Sequence, residues 1–112
     1  MASWERGIDP EILPYFQQLV EWIQSVDNMA RVTSGFRSST EQARLYRRFQ
    51  QGLMPGPVAP PGYSYHEYGR AVDIDADERV LAAAGRAWEE AGGRWGGTFK
   101  GVGKYDPIHF QA

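Results

Sequence analysis

Residues 64–75 read Ser-Tyr-His-Glu-Tyr-Gly-Arg-Ala-Val-Asp-Ile-Asp, and the final five residues of that stretch alternate in polarity. In an extended strand Ala71, Asp73 and Asp75 point one way while Val72 and Ile74 point the other. Such a strand has one apolar side to bury and one polar side to display. Ile108-His109-Phe110 repeats the pattern near the carboxyl end, with His109 turned away from its two apolar neighbours. Arg31-Val32-Thr33-Ser34, ended by Gly35, is a third strand candidate, and Arg94-Trp95-Gly96-Gly97 reads as a short strand and turn.

Helical periodicity fills the intervals. Phe16, Leu19, Val20 and Ile23 follow the 3.6-residue repeat, with Ile12 and Leu13 one turn earlier. Pro14 favours a short turn over 9–13 with the main helix starting at Pro14. Ser39 to Gln42 matches a capping box that opens a second helix running to about Gln51, and Gly52 supplies its stop. Asp77 caps a third helix over Glu78–Ala91, whose core face is Val80, Leu81, Ala84, Ala87 and Trp88. Trp22 and Trp88 both fall on helices and read as core. Residues 53–63, with four prolines and two glycines, form a stiff loop. Helices interleaved with short strands in this order give an α+β domain: a small, mainly antiparallel sheet flanked by helices.

Composition narrows the function. The 112 residues hold one domain's worth of core, 42% hydrophobic and 23% charged. A net charge of −2 without basic runs provides no nucleic-acid footprint. The absence of cysteine excludes disulfides, thiolate metal sites and a cysteine nucleophile. No stretch approaches the ~20 apolar residues of a membrane span. Residues 1–10 carry no apolar signal-peptide core, so the expectation is synthesis in the cytoplasm with delivery by other means.

The residues able to do chemistry are few. His66 and His109 are the only two histidines. Two strands that bury their aliphatic sides would present Asp73 and His109 on a shared polar face. His66 precedes Asp73 by seven positions, with Gly69 between them to allow a bend. Two imidazoles and a carboxylate are a three-ligand set for zinc that leaves a fourth position open. Three polar residues on a solvated sheet face would read the same. Asp106 precedes Pro107 at the end of a loop, from which it can reach over a metal as general base. Arg37, between a strand and a helix, is either a solvated loop residue or a cation for a carboxylate or oxyanion. Gln42 and Ser64 have equally plain readings as capping and turn residues. Trp95, Phe99 and Tyr105 either line a cleft or pack beneath their glycine-rich loop.

Residues 64–73 fit the S-x-H-x-x-G-x-A-x-D signature of the VanY-like D-alanyl-D-alanine carboxypeptidase family of zinc peptidases. Asp106-Pro107-Ile108-His109 resembles that family's second motif. Ser34-Gly35-Phe36-Arg37-Ser38 with Gln42 is similar to its first block, and Arg94–Gly97 to its approach to the last strand. The resemblance implies one zinc on His66, Asp73 and His109, with Asp106 as catalytic base acting on zinc-bound water. It implies that Arg37 binds or polarises substrate and that Gln42 and Ser64 help to place it. The implied fold is the one shared with lysostaphin-type peptidases and the hedgehog signalling domain.

Many carboxypeptidase members carry Glu where this chain has Asp106. Aspartate there is similar to the branch of phage endolysins that cut the L-alanyl–D-glutamate bond of peptidoglycan stems. The expectation is a monomeric, single-domain zinc peptidase over residues 1–112 acting on stem peptides, most specifically as that endopeptidase. It would reach the wall through a holin, a virion or injection machinery. The alternatives are a D,D-carboxypeptidase or dipeptidase, or a zinc-binding structural module without catalysis.

Overall fold

A computed structural model describes residues 3–112. Met1 and Ala2, the start of the stretch read for a signal peptide, lie outside the described residues. The chain runs α1 (Leu13–Val26), β1 (Arg31–Ser34), α2 (Ser39–Gln50), β2 (Ala71–Asp75), α3 (Glu78–Glu90), β3 (Arg94–Trp95) and β4 (His109–Gln111). Short 3₁₀ turns occupy Ser3–Glu5, Tyr65–Tyr68 and Gly96–Thr98. The four strands pair antiparallel in the order β1-β2-β4-β3, which is the α+β architecture expected.

Register follows from burial. Val72 pairs with Phe110 and Asp73 with His109, so the alternation in each strand lands on the same faces. Val72, Ile74 and Phe110 are buried against the helices, where α1 contributes Phe16, Leu19, Val20 and Ile23 and α3 contributes Leu81, Ala84 and Trp88. Phe16 stacks on Trp88 at 5.1 Å between ring centroids, and Phe110 meets the same indole edge-on at 6.4 Å. Each such side chain contributes about 1.5–3 kcal/mol by leaving water.

Several local expectations are corrected. Helix α1 begins at Leu13, and Pro14 falls in its first turn, where the missing N–H removes no helical bond. Trp22 is 45% exposed on the outer side of α1 and is not core. On α3 the contact expected of exposed Ala87 is made by Gly85, over which Trp95 lies so closely that a Cβ would collide with the indole. The α2 cap is Ser38, whose hydroxyl accepts from the Glu41 N–H, and not Ser39. Gln42 cannot complete a box there because its buried amide is engaged elsewhere. The capping box is Ser64 to Glu67, at the start of the 3₁₀ turn.

Candidate metal centre

The polar face of the sheet is where the chain collects its reactive groups. His109 and Asp73 face one another across the β2–β4 ladder, with His109 Nδ1 3.1 Å from Asp73 Oδ1. His66 arrives from the 3₁₀ turn, and its Nε2 lies 3.3 Å from the same oxygen. That approach depends on Gly69, which ends the turn at a left-handed φ of 67° and abuts the backbone of residues 7–9. Ligand atoms of His66, Asp73 and His109 all lie within 4.8 Å of one another.

Each ring is held by its far nitrogen. His66 Nδ1 donates to the Gly35 carbonyl at 2.7 Å, which leaves Nε2 free to face Asp73 and available to a metal. His109 Nε2 donates to Gln111 Oε1 at 2.8 Å, which leaves Nδ1. Asp73 offers Oδ1 to the histidines, while its Oδ2 accepts from Arg37 at 3.3 Å. Two neutral imidazole nitrogens and a carboxylate oxygen converging on one point, each with a supporting hydrogen bond, fit a single zinc ion.

The electrostatics agree. Burial opposes charge on Asp73, but hydrogen bonds with His109 and His66 outweigh it and hold the carboxyl far below the usual carboxylate range. Burial would lower the His109 imidazole, yet the bond to Asp73 and its charge, with Gln111, raise it. A metal ion binding at Nδ1 would have to displace any proton held there.

Asp106 lines the same cleft, a cavity of about 490 Å³. It hangs from Gly96, whose carbonyl accepts the Asp106 N–H at 2.9 Å, and a Cβ on Gly96 would strike the Asp106 carbonyl. The His109 N–H in turn bonds the Asp106 carbonyl at 3.0 Å, so the loop turns directly into β4. Burial, then the charge of Asp73, push the Asp106 carboxyl above its ordinary value.

Arg37 is tied down inside this framework. Its guanidinium donates to Gln42 Oε1 at 3.0 Å and Ser34 Oγ at 2.9 Å besides Asp73. Gln42, only 1% exposed, passes the connection on by donating to the Ala59 carbonyl at 2.8 Å, which fastens the proline-rich loop to the cleft. Ser64 accepts from the His66 N–H and caps the turn. All seven sequence-derived site residues therefore border one cleft. Among the loop aromatics, Phe99 lines it 5.9 Å from His109, Trp95 packs in the core and Tyr105 is exposed.

Sequence reasoning missed Gln111, Gly35 and Glu67. Gln111 was within reach, because a residue two beyond His109 on a strand must share its face. Glu67 accepts from the backbone of Gly62 and Ser64 and from the Ser39 hydroxyl, so it holds the second loop end. Gly35 acts through a carbonyl, which no side-chain pattern reveals.

A His-Asp-His set on an antiparallel sheet, with a carboxylate held over the same cleft, defines a single-zinc peptidase domain. The sequence matches the family described as VanY, D-alanyl-D-alanine carboxypeptidase, over residues 5–95, and the chain belongs to that family. The matched stretch includes His66 and Asp73 and stops short of Asp106 and His109, which the sheet brings into place. Comparison with curated proteins gives no match. Among solved structures, a vancomycin-resistance D,D-pentapeptidase VanY variant in complex with Zn(II) is 24% identical, with TM-score 0.67, covering 93% of this chain and 71% of that one. The L-Ala D-Glu endopeptidase ChiX of Serratia marcescens is 26% identical, with TM-score 0.60, covering 96% and 82%. The LD-carboxypeptidase LdcB shares the fold at 21% identity and TM-score 0.70, covering 97% and 67%.

Proposed function

We propose that this chain is a single catalytic domain, working as a monomer, that hydrolyses the L-alanyl–D-glutamate bond of peptidoglycan stem peptides. The observation that carries the reading is the placement of Asp106 in one cleft with His66, Asp73 and His109. A purely structural metal site has no use for a half-buried carboxylate beside its ligands. The likeness to ChiX, an L-Ala D-Glu endopeptidase, supports the choice of bond. Among the described residues no helix is long and apolar enough to cross a membrane, and we assign delivery to a holin, virion or injection route of phage type.

His66, Asp73 and His109 would hold the zinc, which supplies Lewis acidity toward a carbonyl oxygen and water. Asp106 takes the proton of the attacking water and returns it to the departing amine. Its raised pKa suits that exchange, since a base closer to neutrality both accepts and releases a proton readily. Arg37 holds Asp73 in place and presents a fixed positive charge to the cleft, where negative charge develops on the substrate carbonyl. Gln42 and Ser64 keep Arg37 and His66 in register rather than touching the reacting atoms.

The family description favours a second reading, D,D-carboxypeptidase. Digestion of purified muropeptides read by mass spectrometry separates the two. New amino-terminal D-glutamate supports the endopeptidase, and release of free D-alanine replaces it with the second reading. Asp106→Ala tests the mechanism: zinc content and fold are retained while hydrolysis drops by about 10²–10⁴. Unchanged hydrolysis would remove Asp106 from the reaction.

A further inference from the structure

The 3₁₀ turn that aims His66 inward leaves its neighbouring tyrosines facing out. Tyr63, Tyr65 and Tyr68 are 78%, 45% and 61% exposed. Together with Gly62 and Arg70 they line a second groove of about 340 Å³. Tyr63 and Tyr65 also line the metal cleft, so the two depressions share a wall. The Tyr68 ring is held without being buried. The Tyr68 hydroxyl donates to the Gly62 carbonyl at 2.8 Å, and the Gly62 N–H is fixed by Glu67. Arg70 is spent on Asp9 at 2.9 Å and on the Ala112 carbonyl at 2.7 Å.

We infer that these three tyrosines form a platform for the N-acetylated amino sugar that carries the stem peptide, so that the enzyme reads glycan as well as peptide. Aromatic faces with polar tips suit the C–H surface and hydroxyls of a pyranose. With the guanidinium of Arg70 paired, the groove suits an uncharged ligand better than an anionic polymer. Reach decides the rest. The inference rests on the L-alanyl–D-glutamate reading, in which one extended residue, about 3.5 Å, separates the scissile bond from the sugar's lactyl group. Cleavage at the stem's far end would place the sugar about four residues, ~14 Å, away.

The test uses the zinc-loaded protein on two substrates, a disaccharide-linked stem peptide and the same peptide free. We expect kcat/KM to be about tenfold higher for the sugar-linked substrate, carried by KM. Tyr68→Ala should bring the ratio near one, and Tyr68→Trp should preserve it. Equal rates with cleavage at the alanine–glutamate bond would overturn the platform and leave the bond assignment standing. Release of D-alanine from both substrates would overturn the bond assignment itself. Equal slowing of both by Tyr68→Ala would mean that the ring only supports the turn, and the platform fails. Titration with N-acetylmuramoyl-L-alanine, which has no bond to cut, should shift the ring resonances of Tyr63, Tyr65 and Tyr68. Shifts confined to other residues would sink the platform independently of catalysis.

Discussion

The two faces of the β2–β4 ladder are built from alternate residues of the same few positions, yet they obey opposite rules. Val72, Ile74 and Phe110 are buried among hydrocarbon and need only volume and shape. Asp73, His109 and Gln111 are scarcely more accessible, but each carries polar atoms that must find partners. Among the described residues no buried side-chain nitrogen or oxygen lacks a hydrogen-bond partner. One face contributes stability through area removed from water. The other holds charged and polar groups at a desolvation cost that only mutual pairing or a metal offsets. A fold this small can carry such a site because the apolar face is clean.

The sharpest way to break the contrast is His109→Ala, which removes a ligand without touching the core behind it. Hydrolysis should be abolished and zinc lost on dialysis, with the far-ultraviolet dichroism of the folded protein retained. Phe110→Ala, the neighbouring residue on the opposite face, should do the reverse. Denaturant titration should show a loss of about 3–5 kcal/mol, while the fraction that remains folded still binds zinc. Gln111→Leu probes the support of the ligand: without an acceptor for His109 Nε2–H, zinc affinity measured by chelator competition should fall about 10–100-fold. Gln111→Glu should restore it.

A smaller effect concerns pH. In the metal-free protein the His109 imidazole sits above its ordinary value of 6.5 through Asp73. Its protonated pair with Asp73 therefore stabilises the fold fully below about pH 6.5 and fades as pH rises through the raised value. The metal-free thermal midpoint should fall as pH rises above about 6.5. With zinc present the trend should reverse, because the ligands must lose protons to bind it. A metal-free midpoint that climbs over this range would show that the polar face is not held by that pair.

Much of this was readable beforehand, for identifiable reasons. Alternation at 71–75 and 108–110 depends only on the two-residue repeat of a strand, and it placed Asp73 and His109 on one face. The helical stripe Phe16, Leu19, Val20 and Ile23 is equally local, and all four are buried. Failures came where neighbours distant in sequence decide. Trp22 has the composition of a core residue, but it falls on the exposed side of α1. Ala87 and Gly85 look interchangeable until Trp95 folds back over the helix. Gln42 fits a capping box by spacing, yet Arg37 and the Ala59 carbonyl claim its amide.

The amino-acid sequence by itself determined which side chains can bind metal, which strand faces carry them and which carboxylate accompanies them. These follow from residue chemistry and from the fixed period of the backbone. Only the tertiary structure decided that Gly35 and Gln111 occupy the far ring nitrogens of His66 and His109, that Arg37 is committed to Asp73, and that a tyrosine groove adjoins the cleft. Hydrogen bonds and shared walls depend on chain segments up to 61 residues apart meeting in space, and no local pattern encodes that meeting.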